Sequence, residues 1–425
     1  MKCSIKVIRP GACTTVQDLG RIGYQKFGIP VAGVMDEFAA SVANFLVGNE
    51  RNEAVLEITY LGPTLAFQEE MLIGIAGADV SPKLNGVPVP VWESFTVKKD
   101  DVLSFGSVKS GVRAYIAFAG SIDVPPVNGS KSTLMKSKIG GFQGRMLQAG
   151  DELAICVRHG SVPQRLPARF IPVYPHSNDI SVCLGPQDDY FTEQGIADFF
   201  RQPYTITANA DRMGIRLDGA AVAHKTKADI ISDAAVIGSI QVPADGKPII
   251  LMADRQTTGG YAKIGTVIKE DIIKLAQMAS KDTVQFRRIS MEDAQQKYRA
   301  FYQKLEEIQK ALQDSANIGA KSSTADTAET VSTRGVGSLP SGTQSTGTAT
   351  NTAAVKETIC LPVPGTLSQI AVKTGDTVKE GDLLFTFEAM KMENDMTAPC
   401  SGTVGRIYKT AGDSSDTGEP VLELV

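Results

Sequence analysis

The sequence has little histidine and no paired cysteines. Its three histidines, His159, His176 and His224, never fall at ligand spacing on one helix or strand, so no histidine-based metal site is expected. Its six cysteines (Cys3, Cys13, Cys156, Cys183, Cys360, Cys400) contain no C-x-x-C pair, which argues against a zinc knuckle or disulfide framework and for buried, reduced thiols. No apolar run approaches the roughly 18 residues of a membrane-spanning helix, and the opening MKCSIKVIRP has too few apolar residues for a signal peptide. Long basic runs are missing too. With 43 basic and 47 acidic residues the net charge is −4, which argues against nucleic acid or an anionic membrane as partner. GSKST (129–133) has the tail of a G-x-x-x-x-G-K-[ST] phosphate loop without its first glycine, and no G-x-S-x-G elbow occurs. The expectation is a cytoplasmic protein without a metal.

At 425 residues and 42% hydrophobic content, the chain is long enough for two or three units. Residues 313–357 turn to Ser, Thr, Ala and Gly, as in SGTQSTGTATNTAA, and cannot form a core. A flexible linker is expected there, with a root-mean-square span on the order of 35 Å for about 40 residues. Just before it, 291–312 places Ala294, Tyr298, Phe301, Leu305, Ile308 and Leu312 at spacings of three and four, the stripe of a helix packed on a larger body.

After the linker, 358–425 repeats itself. Gly365-Thr366 recurs 37 residues on as Gly402-Thr403, Gly375-Asp376 as Gly412-Asp413, Gly381 as Gly418, Leu384 as Val421 and Phe387 as Leu424. Each copy reads as short alternating strands too small to be stable alone, so the two must pack into one small flattened barrel. The stretch EAMKMEN (388–394) joins the copies and sets a single lysine between two methionines at a hairpin tip. With Ala389-Met390-Lys391-Met392 and the upstream Pro-x-x-Gly-Thr, this tail resembles a biotinyl carrier domain. The resemblance implies covalent biotin on Lys391, flanked by Met390 and Met392, and a biotin protein ligase to attach it. A neutral lysine amine on a four-carbon stem is the nucleophile such an amide linkage needs.

Residues 1–290 form the body. Short apolar runs end in Gly, Pro or Asn-Gly: LNGVPV (84–89) reads as a hairpin and RAYIAFA (113–119) as a buried strand. Helices are expected over 36–47, with Asp36 as N-cap and Gly48 past the end, over 188–201 and over 270–279. Because strands do not alternate with helices, β-barrels are favoured over a doubly wound sheet. Polar residues crowd among glycines in TTVQDLGRIGY (14–24), VAGVMD (31–36), NADRMGIRLDG (209–219), GSIQVP (238–243) and ADRQTTGGY (253–261). Glycine lets backbone N–H groups approach a ligand there, while Gln, Arg and Thr supply donors. These motifs, with GSKST and GGFQGR (140–145), resemble the allophanate hydrolase subunit 2 family. That family is also described as a carboxyltransferase domain of urea carboxylase and as the C component of 5-oxoprolinase. The resemblance implies a mainly β fold with two cyclophilin-like β-barrel lobes, and work alongside a sister carboxyltransferase subunit.

A carrier is not usual in the 5-oxoprolinase type, so its presence favours carboxyl transfer to a small, urea- or amide-like acceptor. Hydrogen-bond donors would stabilise charge developing on the ureido oxygen in a dry pocket. Gln17, Arg21, Arg212, Gln241, Gln256 and Thr257 are the candidate donors, and Asp18, Asp36, Asp211 and Asp254 the candidate bases or orienters. No ATP-binding domain fits in the chain, so a separate, ATP-using biotin carboxylase would charge the carrier. Two other readings stand beside this one: a component of an ATP-dependent 5-oxoprolinase with the carrier as passenger, and a non-catalytic binding protein of the kinase-inhibitor type.

Overall fold

The computed structural model describes residues 2–323, 357–361, 365–389, 392–415 and 419–425, with the backbone alone at 2, 316–323, 389 and 392. Two units, Met1–Ala316 and Asn317–Val425, make up the chain.

The first unit opens with short apolar strands that collapse as two sheets around one core. A seven-stranded sheet runs in the order Gly120–Ile122, Glu152–Val157, Lys2–Arg9, Thr64–Phe67, Val102–Ser104, Lys83–Leu84, Val87–Pro88. A five-stranded sheet runs Cys13–Gln17, Val55–Thr59, Ser110–Phe118, Met71–Asp79, Glu93–Val97. Ile5, Val7, Leu56, Ile58, Ile73, Ile75, Ile116 and Phe118 fill the space between them. The hairpin within 84–89 turns at Asn85-Gly86. Nearly all of Ser110–Phe118 is buried because its second face is also covered: Tyr115 and Ala117 share a cluster with Phe38, Val42 and Leu46 of helix α1 (Glu37–Leu46). Helix α1 begins where the Asp36 carboxylate accepts from the Ala39 N–H at 2.9 Å.

The second lobe is a closed barrel of seven strands in the order Ser177–Leu184, Lys263–Val267, Ser239–Gln241, Ile249–Leu251, Gly214–Asp218, Pro203–Ile206, Thr283–Arg288. The last and first strands pair in parallel and close it. Helix α2 spans Glu193–Arg201 and stacks Phe199 on Phe286 at 4.3 Å between ring centroids; it starts after position 188 because Asp188–Tyr190 is a separate 3-10 turn and Thr192 is the cap. Helix α3 spans Lys269–Ala276. Met35 of the first lobe's long loop sits in the barrel's core cluster, so the lobes share apolar contact.

Helix α4 spans Met291–Ser323 and therefore takes 313–323 from the expected linker. That segment contains no proline to break the helix, which outlasts its apolar stripe. Phe301, Leu305, Ile308 and Leu312 are buried with the residues of α1, whereas Tyr298 is exposed. The rest of the expected linker, 324–356, lies outside the described residues. No helix among the described residues is long and apolar enough to cross a membrane.

The second unit carries the repeat into three dimensions. One four-stranded sheet runs Glu357–Cys360, Pro420–Leu424, Gly402–Ile407, Thr377–Val378; the other runs Met392–Thr397, Leu383–Ala389, Gly365–Ile370, Ser414–Ser415. The 37-residue shift maps each sheet's strand order onto the other, and each sheet contains strands of both copies. Hydrogen bonds are exchanged in kind: Gly375 N–H donates to the Val404 carbonyl at 2.8 Å, and Gly412 N–H to the Leu367 carbonyl at 2.7 Å. Gly418 lies outside the described residues. Both Gly375 and Gly412 have φ of +95° and no neighbour within 4 Å of an added Cβ, so only backbone strain opposes a side chain. Gly375→Ala and Gly412→Ala should each destabilise the carrier by about 1 kcal/mol in urea unfolding. Losses differing by more than about 1 kcal/mol would contradict the equivalence of the copies.

Candidate functional site

The polar segments singled out in the sequence meet where the two lobes join. The loop that follows strand Cys13–Gln17 crosses to the barrel, and Gln25 in it donates to the Ala235 carbonyl at 2.8 Å and to the Thr257 carbonyl at 3.5 Å. Thr257 leads into strand Thr258–Tyr261, which pairs with Asp229–Ala234 as a two-stranded ribbon. Gln241 ends barrel strand Ser239–Gln241, and its Oε1 accepts from Gln256 Nε2 at 3.2 Å.

One group of the expected residues bolts the lobes together. Arg212 Nε and Nη2 donate to the two carboxylate oxygens of Asp254 at 2.9 and 2.8 Å, its Nη2 also reaches the Gly33 carbonyl at 2.5 Å, and its Nη1 donates to Glu57. Burial works to lower the Arg212 pKa, but Asp254 and Glu57 outweigh it and hold the guanidinium firmly charged. Glu57 Oε2 accepts from Met35 N–H at 2.8 Å and from Tyr115 Oη at 2.9 Å, and Tyr115 Oη in turn accepts from Asp36 N–H at 2.8 Å. Asp36 Oδ2 takes Nε2 of Gln277 at 2.8 Å, and the Oε1 of Gln277 accepts from Val112 and Arg113 N–H at 2.9 Å each.

These contacts give Arg212 and the four expected aspartates defined structural partners. Asp36 is a helix cap and Asp254 an arginine partner. The Asp18 carboxylate accepts from Gly20 N–H (2.8 Å), Ser130 Oγ (2.6 Å), Ser132 Oγ (2.5 Å) and Lys131 N–H (2.6 Å), holding the GSKST turn in place. Asp211 accepts from Met213 and Gly214 N–H in an exposed turn. All four carboxylates, and the Arg212 donors just named, are engaged in holding structure.

A second group is buried yet unsatisfied. Arg21 is fully buried, donates through Nη2 to the Ser132 carbonyl, and leaves Nε and Nη1 without partners. Burial lowers its pKa, against the pull of Asp18 and Asp254. Gln17 donates through Nε2 to the Thr133 carbonyl at 3.1 Å but leaves Oε1 unpaired, and Gln241 leaves Nε2 unpaired. Gly140 and Gly259 pack so closely here that a Cβ would lie 2.1 Å from Arg21 Nη2 and from Gln241 Nε2 respectively.

Sequence reasoning passed over Arg255, inside the quoted ADRQTTGGY. It is 6% exposed and meets only the Ala235 carbonyl (3.2 Å), the Met252 carbonyl (3.4 Å) and Gln25 Oε1 (3.5 Å). Among the described residues it has no carboxylate partner, and burial pulls its pKa down to about 10. Arg255, with no carboxylate partner among the described residues, and Arg21, with Nε and Nη1 unfilled although Asp18 and Asp254 act on it, retain donor capacity for an anion. Among the described residues no cluster of His, Cys, Asp or Glu is placed to hold a metal ion.

In the carrier, strands Leu383–Ala389 and Met392–Thr397 pair in register down to Ala389 opposite Met392. Met390 and Lys391, between them in sequence, lie outside the described residues, as does the side chain of Met392. The ladder therefore ends on either side of Met390-Lys391 in the sequence.

Comparison with known proteins agrees with both halves. The profile of the carboxyltransferase domain, subdomain A and B, matches residues 27–288, and that of the biotin-requiring enzyme domain matches 357–424. The chain is similar to the C component of 5-oxoprolinase from Escherichia coli, 37% identical over 290 residues that cover 68% of this chain and 93% of that protein. It superposes on the crystal structure of Kluyveromyces lactis urea carboxylase with a TM-score of 0.69 at 32% identity, covering 72% of this chain but 29% of that one. Its tail is 38% identical over 73 residues to the biotin carboxyl carrier protein of Streptococcus mutans, covering 17% of this chain and 56% of that protein.

Replacing Arg212 by Met leaves Glu57 and Asp254 buried without their cation and should cost about 3–5 kcal/mol in denaturant unfolding. A loss under about 1 kcal/mol would remove the bolt from this account. Burial raises the Asp36 pKa to about 6, against the Ala39 N–H and Gln277, while in the unfolded chain it titrates near 3.8. The native state therefore binds the extra proton between those values, and this contribution to stability is lost as pH rises from about 4 to 6. Asp36→Asn should flatten that decline, and an unchanged pH profile would contradict the assignment.

Proposed function

The chain belongs to the carboxyltransferase family of subdomains A and B, and from that premise we propose that it is the carboxyl-transferring component of a biotin-dependent enzyme. The observation that carries this reading is the pair of buried arginines with unfilled donor capacity, Arg21 and Arg255, in a chain that also bears a biotinyl domain. Biotin, bound at Lys391, supplies a ureido ring that carries a carboxyl group. Arg255 and Arg21 receive that carboxylate away from bulk water, where their charge acts at low dielectric. The unpaired Nε2 of Gln241 donates to charge that develops as the carboxyl group leaves, with Gln256 fixing the amide from its other side. Gln17 offers its unpaired Oε1 to an N–H of a small urea- or amide-like acceptor. The acceptor nitrogen's bond to the carboxyl carbon forms as the ureido N–C bond breaks, and the acceptor's proton would pass to the ureido nitrogen so freed, so the transfer balances without any of the four aspartates as base.

The segments joined at Gln25 also expose Ile22 (78%), Phe27 (67%) and Ile231 (94%) beside the site, an apolar rim suited to a sister carboxyltransferase subunit. A separate biotin carboxylase charges the carrier, a biotin protein ligase loads it, and the assembly works in the cytoplasm. The similarity to the 5-oxoprolinase component favours a second reading, in which the complex opens 5-oxoproline and the biotinyl domain is a passenger. Lys391→Arg separates the two. On the first reading the assembled complex loses bicarbonate-dependent turnover and its avidin signal. Opening of 5-oxoproline at full rate in this variant would favour the second.

A further inference from the structure

Arg255 is oriented by weak, neutral neighbours. A guanidinium carries five N–H donors; here Nε meets the Ala235 carbonyl at 3.2 Å, Nη1 the Met252 carbonyl at 3.4 Å and Nη2 the Oε1 of Gln25 at 3.5 Å. Gln25 is the one side chain among the described residues that hydrogen-bonds Arg255, and it comes from the other lobe, 230 positions earlier in the sequence. Its amide acts at both ends. While Oε1 accepts from Arg255, Nε2 donates at 2.8 Å to the same Ala235 carbonyl that takes Arg255 Nε. Gln25, Ala235 and Arg255 thereby close a small ring of hydrogen bonds across the lobe junction.

The turn that carries Gln25 has no core of its own: none of Gln25–Phe27 is buried, and Phe27 is exposed. Its bonds to the barrel therefore hold it in place, and through them it sets Arg255. A side-chain amide suits both tasks because it donates and accepts at once. A glutamate at this position would accept from Arg255 but has no N–H for the Ala235 carbonyl, and its charge would neutralise the guanidinium. A lysine would donate to the carbonyl but repel Arg255, and an apolar side chain would do neither.

We propose that Gln25 is a positioning residue for the transfer site, a neutral clamp that orients Arg255 and leaves its positive charge for the incoming carboxylate. The proposal rests on the reading above, in which Arg255 receives the carried carboxyl group, and it makes that residue's orientation depend on both lobes.

Arginine side-chain NMR on the full chain and single-turnover transfer in the assembled complex test it together, with the Arg255 signals identified by their loss in Arg255→Gln. Gln25→Met keeps the length and loses both bonds. Exchange between the two Nη positions of Arg255 should quicken about fivefold, the equivalent of one ordinary hydrogen bond, and transfer from a fully loaded carrier should slow by about the same factor. Gln25→Glu should slow transfer at least about a hundredfold, as removal of Arg255 would, because the new carboxylate neutralises the donor. A purely spatial role would instead leave Gln25→Glu, the closer match in shape, nearer to the unaltered chain than Gln25→Met. Unchanged Nη exchange in Gln25→Met, or faster transfer by Gln25→Glu than by Gln25→Met, would overturn the proposal. Full-rate transfer by Arg255→Gln, with exchange still quickened in Gln25→Met, would overturn the reading of Arg255 as the carboxylate's receiver while supporting the clamp itself.

Discussion

The charge on Arg212 is the constraint on which the first unit depends. It belongs to the barrel, yet it is neutralised from both sides, by Asp254 of its own lobe and by Glu57 of the other, 155 residues away in sequence. Neither carboxylate could be buried without it, and Glu57 in turn fixes Met35 N–H and Tyr115. Since Met35 inserts into the barrel core and Asp36 starts α1, the loop between strand Cys13–Gln17 and α1 has no freedom to swing away from the barrel. A buried ion pair adds little net stability against an apolar substitute, but it specifies one arrangement, and here that arrangement is the lobe junction.

What the bolt positions is a contrast between arginines. Arg212 is buried and paired; Arg21 and Arg255 are buried within the same neighbourhood and unpaired. Desolvating a cation without a partner is costly, and buried polar groups in folded proteins are almost always satisfied. The unsatisfied donors of Arg21 and Gln241 are therefore binding capacity open to a ligand that brings negative charge.

Local features were legible in the sequence, and distant pairings were not. The Asp36 cap, the Asn85-Gly86 turn and the 37-residue repeat are written in neighbouring residues, so their elements could be placed before any coordinates. Several of the glycine-rich polar segments singled out in the sequence do come together at the lobe junction. The structural partners within it could not be read from the sequence for a physical reason: what an aspartate accepts from depends on what faces it. Gln277 reaches Asp36 across 241 positions, and the Asp18 partners come from a turn more than a hundred residues on. Arg255 escaped notice because its significance lies in a missing partner, which no sequence pattern records. The end of α4 was missed since the helix runs on beyond its apolar stripe, the feature by which the sequence marks it.

The central claim, that unpaired arginines at the junction receive the carried carboxyl group, is tested most directly by a single-turnover chase. The carrier of the assembled complex is loaded with labelled carboxyl by a biotin carboxylase, ATP is removed, and urea or another small amide is added. The account predicts equal loading in the unaltered chain and in Arg255→Gln, with label transfer slowed at least about a hundredfold in the variant, the loss associated with removing one preorganised donor. Transfer at the unaltered rate from a fully loaded Arg255→Gln carrier would contradict it.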